Sequence, residues 1–187
     1  MVDRRRIVLL GALALTPSLA RAALMSSSVT AYAFTFKRLD GGDILLSDYA
    51  GRPILIVNTA SLCGYTPQYA GLQQLWTRYR DRGLMMIGVP SNDFGGQEPG
   101  GASDIHATAQ GEYHVTFPLT EKVTVKGADA HPFYKWAAQQ TQFDMPKWNF
   151  HKYLIGRDGR LKAAFASAIE PTDPKITAAI ENELASA

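Results

Sequence analysis

Two short apolar runs constrain this chain more than any other feature. Pro53 to Val57 (PILIV) and Leu84 to Val89 (LMMIGV) are too short for buried helices and carry almost no polar residue, the signature of strands covered on both faces. Between them Leu72, Leu75, Trp76 and Tyr79 recur at i, i+3, i+4 and i+7. That spacing puts an apolar stripe on a helix that begins near Pro67 and ends at Gly83. Strand, helix and strand in this order form a βαβ unit, with parallel strands and a right-handed crossover.

The flanking segments supply the cover. Ala33 to Arg38 and Asp43 to Leu46 flank Asp40-Gly41-Gly42, a hairpin signal at the N-terminal side. Ser103 to Glu112 reads as a helix with Ser103 as its N-cap, and His131-Pro132 opens a short helix through Gln139. Phe150 to Ile155 and Leu161 to Phe165 flank Gly156-Arg157-Asp158-Gly159, an antiparallel hairpin. Asp173-Pro174 starts a last helix carrying Ile176, Ala179, Ile180 and Leu184 on one stripe. The expectation is an α/β chain of thioredoxin-like order: a central mixed β-sheet flanked by helices, with an N-terminal β-hairpin. No repeat or second domain boundary is visible, so residues 31–187 read as one domain.

The first 22 residues read as a targeting signal. Arg4, Arg5 and Arg6 precede a short apolar run, Ile7 to Leu15, which Pro17 breaks, and Ala20-Arg21-Ala22 offers a small-x-small cleavage site. The run is too short to span a bilayer. The alternative is a buried or amphipathic N-terminal helix. The adjacent arginines also resemble a twin-arginine signal, although general export signals begin with arginines too. Residues 23–30 read as a flexible lead-in. The mature protein is then expected outside the cytoplasm, in a bacterial periplasm, with no stable membrane insertion. The formal charge of +2 is small and scattered, which argues against nucleic-acid binding.

The 187-residue chain has one cysteine, Cys63, so no intrachain disulfide can form. Cys63-Gly64-Tyr65-Thr66 is not C-x-x-C, which excludes dithiol exchange of the thioredoxin type. Cys63 lies just beyond the carboxyl end of the first buried strand and just before the amphipathic helix. Chemistry in open α/β sheets gathers there, and a helix N-terminus favours negative charge. Two readings stay open from placement alone: a thiolate nucleophile, or a small buried hydrophobe.

Three motifs then carry a resemblance. Asn58 to Tyr69 (NTASLCGYTPQY), Phe94 to Gly100 (FGGQEPG) and Lys147 to Phe150 (KWNF) resemble, in order, the three signature segments of the glutathione peroxidase family. Val115 to Leu119 and Ala130-His131-Pro132 fit as well. The resemblance runs from about Ala33 to the C-terminus. It implies a thiol-dependent peroxidase that reduces hydrogen peroxide and organic hydroperoxides through a sulfenic acid on Cys63. It matches the family's glutamine, tryptophan and asparagine to Gln97, Trp148 and Asn149. Each is a neutral hydrogen-bond donor suited to a developing oxyanion. No cofactor or metal is implied. The electron donor would be an external thiol such as glutathione, or a thioredoxin-type protein.

Departures qualify that picture. Many cysteine-type relatives carry a resolving cysteine in the helix after the second motif, whereas Ser103 to Tyr113 contains none. Ser91, Asp93 and His151 also differ from common residues at their positions. The segment between Gln139 and Trp148 is short, without the insertion that tetrameric members use, which favours a monomer. His106, His114, His131 and His151 show no metal-ligand spacing and read as surface residues or, for His131, a helix start. Lys122, Lys126 and Lys147 read as solvated lysines, with a basic rim for an anionic thiol as the alternative. A peroxide sensor that relays oxidation to a partner protein would use the same Cys63 chemistry and stays open. A metallochaperone would need a second soft ligand that the chain does not supply.

Overall fold

The computed structural model describes residues 29–140 and 144–186. The readings on residues 1–28 lie outside them. The last two lead-in residues are described and anchored: the Val29 carbonyl accepts the Trp136 indole N–H at 3.0 Å, and Thr30 begins the turn that leads to Ala31.

Strands β1 (Thr35–Lys37) and β2 (Asp43–Leu45) form the expected antiparallel hairpin. The second sheet contains β3 (Ile54–Thr59), β4 (Met85–Pro90), β5 (Lys152–Ile155) and β6 (Leu161–Phe165) in the order β4-β3-β5-β6. β3 pairs parallel with β4 and antiparallel with β5, so the sheet is mixed as expected. β3 runs two residues further than the apolar run, through Asn58 and Thr59, because Asn58 and Thr59 still pair with Val89 and Pro90. Cys63 therefore follows the strand more closely than the apolar run suggests.

Alternate residues of the central strands face two cores. Ile54, Ile56, Ile87 and Tyr153 pack with Phe36 and Ile44 of the hairpin and with Phe133 and Trp136 of α3 (Pro132–Ala138). Leu55, Val57, Met86 and Leu154 pack with Leu72 and Leu75 of α1 (Gln68–Tyr79) and with Ile176 and Ile180 of α4 (Pro174–Ala185). Two caps are those expected: the His131 ring accepts the Phe133 N–H, and the Asp173 carboxylate accepts the Lys175 N–H. The third is not. Helix α2 (Ala102–His106) starts after Gly101, whose N–H is taken by the Asp104 carboxylate at 2.9 Å, so Ser103 lies inside the first turn. The helix then widens into a π-turn over Ala107–Glu112. Among the described residues no helix is long and apolar enough to cross a membrane.

One buried cation fastens the layers. Lys152 is fully buried, and its ammonium donates to Gln68 Oε1 and the Ile169 carbonyl, each at 2.6 Å, and to the Ser167 carbonyl at 3.4 Å. It ties β5 to the first residue of α1 and to the turn before α4. Burial lowers its pKa to about 8 despite the nearby Glu170.

Candidate active site

The site is made of three loops at the carboxyl end of β3. In the first, one buried hydroxyl closes the turn: Thr66 Oγ1 accepts the Cys63 N–H at 3.0 Å and donates to the Ala60 carbonyl at 2.9 Å. Cys63 is a free thiol, 7% exposed. Its sulfur is faced by the Tyr65 N–H at 3.4 Å. The first N–H groups of α1 do not reach it. Gln68, Tyr69 and Ala70 donate instead to the carbonyls of Tyr65, Thr66 and Pro67. The donor at the sulfur thus comes from the turn before the helix, a refinement of the expectation drawn from the helix N-terminus.

The second loop carries Gln97. Gly95 and Gly96 both take left-handed backbone angles, φ 67° and 65°, which a side chain would strain. The Gln97 carbonyl accepts the Leu62 N–H at 3.0 Å, joining this loop to the one that holds Cys63. Lys122 fastens it from outside by donating to the carbonyls of Glu98, Pro99 and Gly100 at 3.0, 3.2 and 2.7 Å. Lys126 lies 4.7 Å from the Phe94 ring centre. Neither is the unengaged surface lysine expected from the sequence.

The third loop brings Trp148 and Asn149. Phe150 takes φ 62°, and its N–H bonds to the Asn58 carbonyl at 2.6 Å, while the Asn58 amide donates to the Trp148 carbonyl at 3.1 Å. Asn149 is fully buried and donates to Gln97 Oε1 at 2.9 Å. Gln97 thereby has its oxygen engaged and its NH₂ left over as a donor. Trp148 is 39% exposed and tilts against Phe94 at 6.0 Å, so it is not a core residue. All four residues singled out in the sequence, Cys63, Gln97, Trp148 and Asn149, belong to this one hydrogen-bonded set of loops.

His151, expected at the surface, is buried. Its ring meets Tyr153 edge-on at 4.7 Å, and burial, with Lys152 adding to it, lowers its pKa to about 4, so the ring is neutral. It lines a cavity of about 430 Å³ with Tyr65, Met145, Lys147 and Trp148. A second cavity, of about 540 Å³, opens on the other side of the loop at Ser61, Leu62 and Glu98. A larger one of about 840 Å³ lies against β1 and the start of α3 and touches none of the four residues. Among the described residues no group of three His, Cys, Asp or Glu side chains gathers to hold a metal.

Thr66, Asn58 and Glu98 were not singled out in the sequence. Thr66 could have been, since a threonine three residues after a pinned turn residue is a common side-chain closure. The other two act through contacts distant in the chain.

Comparison with known proteins gives the family and the fold. The family model described as glutathione peroxidase matches residues 31–138, a span that closes before Trp148 and Asn149. The chain is similar to the hydroperoxy fatty acid reductase of Synechocystis, at 44% identity over 83% of this chain and 96% of that protein. It is similar to a glutathione peroxidase-like peroxiredoxin of Chlamydomonas reinhardtii, at 46% identity over 75% and 88%. Among solved structures it resembles apo Trgpx, with 35% identity, a TM-score of 0.66, and coverage of 83% of this chain and 97% of that one. MTB dsbF, solved in mixed oxidized and reduced forms, shares the fold at 13% identity, with a TM-score of 0.59 over 83% of this chain and 98% of that one.

Proposed function

Because the chain belongs to the glutathione peroxidase family, and so is a thiol-dependent peroxidase, we propose that Cys63 is the residue that attacks the peroxide, that Gln97 and Trp148 are its donors, and that Asn149 holds Gln97 for that role. The sulfur attacks one peroxide oxygen, the S–O bond forms as the O–O bond breaks, and the departing oxygen takes up a proton as water or an alcohol. The developing negative charge needs donors that are already in place. The Gln97 NH₂ and the Trp148 indole N–H have no acceptor among the described residues, and Asn149 orients the first by holding its oxygen. The observation that carries the reading is the chain of contacts from Asn149 to Gln97 to Leu62, which pins the donor loop to the residue beside Cys63.

Organic hydroperoxides are the proposed substrates beside hydrogen peroxide. Leu62, Met145 and Trp148 are exposed apolar side chains on the loops of the site, at 67%, 55% and 39%, and one relative is named for hydroperoxy fatty acids. Regeneration follows from counting. With one cysteine, the sulfenic acid has no internal partner and must form a mixed disulfide with an external thiol, which a second thiol resolves. Glutathione or a thioredoxin-type protein is the proposed donor. The export signal over residues 1–22, a periplasmic location and a monomeric state complete the proposal, on the sequence features already described.

The test is a steady-state assay with hydrogen peroxide and a fatty-acid hydroperoxide, comparing glutathione with a thioredoxin system. Intact-mass measurements after one equivalent of peroxide accompany it. Wild-type protein gains one oxygen, which glutathione converts to an adduct and then to free thiol. Cys63→Ser gains none and turns over neither peroxide, with its melting temperature unchanged. Turnover by Cys63→Ser overturns the assignment. A sulfenic acid that neither donor reduces turns the reading toward a relay to a dedicated partner.

A further inference from the structure

Cys63, Gln97, Trp148 and Asn149 leave one polar region of the site unused. Glu98 follows Gln97 in the chain, yet its side chain is fully buried and neither carboxylate oxygen closes a hydrogen bond. The groups facing it are the hydroxyl and N–H of Ser61, and Ser61 Oγ is itself buried without a partner. Beyond it the Tyr69 hydroxyl faces Thr59 Oγ1, again with no closed bond. Five buried polar atoms from β3, the Cys63 loop, α1 and the Gln97 loop thus stand together unsatisfied. An arrangement like that costs free energy, and the loops are already fastened by Thr66, Leu62 and Lys122.

We propose that Glu98 is the proton store of the peroxide reaction, a positioning residue that acts through the Ser61 hydroxyl. The proposal rests on the reading of Cys63 as the attacking residue. In the chain only Leu62 separates Ser61 from Cys63, and the Leu62 N–H is held by the Gln97 carbonyl, so the loop that carries Glu98 is fastened to the turn that carries the hydroxyl and the thiol. The Cys63 thiol proton passes to Ser61 Oγ as the Ser61 proton passes to the Glu98 carboxylate. The thiolate then forms the S–O bond and the O–O bond breaks. Glu98 returns its proton through Ser61 to the departing oxygen. Thiol and hydroperoxide become sulfenic acid and alcohol, or water, and Glu98 ends as it began. Burial suits the carboxyl to this work by raising its pKa, with Asp104 of α2 adding a little and Ser61 and Lys122 opposing. Tyr69 of α1 is the remaining titratable group beside it, and burial keeps that phenol protonated.

The test is single-turnover oxidation of the reduced full chain by hydrogen peroxide between pH 5 and pH 9, for wild type, Glu98→Gln, Glu98→Asp, Ser61→Ala and Cys63→Ser. Glu98→Gln keeps the shape and removes the titration. The expected loss at neutral pH is about 10²-fold, the scale of a lost proton-transfer group, with one ionisation gone from the rate profile. Ser61→Ala reproduces both changes, and Glu98→Asp recovers part of the rate. A wild-type rate in Glu98→Gln, or a slower rate with the profile unchanged, overturns the proposal. If Glu98→Gln fails to fold, Ser61→Ala decides alone, and an unaltered profile there overturns it. Peroxide consumption by Cys63→Ser would instead sink the underlying reading of the thiol, a result separable from either.

Discussion

Lys152 and Glu98 are both fully buried ionisable side chains within reach of the Cys63 turn, and the fold treats them in opposite ways. The Lys152 ammonium has acceptors in Gln68, Ser167 and Ile169, and Gln68 in turn donates to the Ser167 carbonyl at 2.8 Å. Glu98 closes no side-chain bond at all. Burial pushes each toward its neutral form, lowering Lys152 and raising Glu98. A buried charge with a full set of partners fixes geometry, here the start of α1 behind the thiol. A buried acid that faces only Ser61 and closes no bond there fixes little, which is why the proton role proposed above falls on it.

The contrast is broken most directly by removing each group. Lys152→Met leaves the Gln68 oxygen and the Ile169 carbonyl without their donor, and the expected loss is roughly 3 kcal/mol of stability, the low end for breaking a buried charged network. Glu98→Gln is expected to stay within about 1 kcal/mol of wild type, since it removes a charge that burial disfavours more than Ser61 and Lys122 favour it. Urea denaturation monitored by tryptophan fluorescence measures both. Equal losses would mean that Glu98 is as structural as Lys152.

The pH dependence sharpens the same contrast, because the two slopes have opposite signs. Lys152 falls from 10.5 to about 8 on folding. Between those values the unfolded chain binds more protons, so stability rises with pH from about 8 to about 10.5, by up to roughly 3 kcal/mol. Glu98 is raised above its ordinary 4.5. The folded chain keeps that proton longer, so its contribution is fully present below about 4.5 and is lost as pH rises through the folded value. Stability of wild type minus Lys152→Met, followed through the alkaline range, should climb. Wild type minus Glu98→Gln, followed upward from acid pH, should fall. A flat difference in either series removes that half of the comparison.

The sequence made one side of this legible and hid the other for physical reasons. β3 and β4 were readable because strands covered on both faces must be apolar throughout, and the caps at His131 and Asp173 because proline marks the first helical turn. Ser103 was misread because a carboxylate at Asp104 can close the same helix end from inside it. Cys63 stood out by being single, and Gln97, Trp148 and Asn149 by the motifs around them. The burial of Glu98 could not be read from FGGQEPG, a run with no periodicity, where an exposed turn is the default. Lys152 and His151 sit where a strand pattern would place surface residues, and only the packing of the Ser167–Ile169 turn and Tyr153 covers them.

The smallest effect expected lies at Lys122, which separates a clamp from a charged rim. Its ammonium meets three loop carbonyls, whereas Lys126 lies over the Phe94 ring and makes no such bond. If Lys122 works as a clamp on the Gln97 loop, Lys122→Met should cost about 1 kcal/mol of loop order and slow oxidation by peroxide several-fold, at most about tenfold. That effect should hardly change with ionic strength, because short contacts to carbonyls are little screened. Lys126→Met keeps an apolar chain over Phe94 and should oxidise near the wild-type rate. If the lysines instead form a rim that draws in an anionic thiol, the two variants should behave alike. The slow step would then be reduction by glutathione rather than oxidation, and the difference from wild type should shrink as salt is raised. Stopped-flow oxidation and glutathione reduction, each at low and high salt, distinguish the two outcomes. A salt-independent defect confined to the oxidation step of Lys122→Met establishes the clamp, and a shared, salt-sensitive defect in reduction establishes the rim.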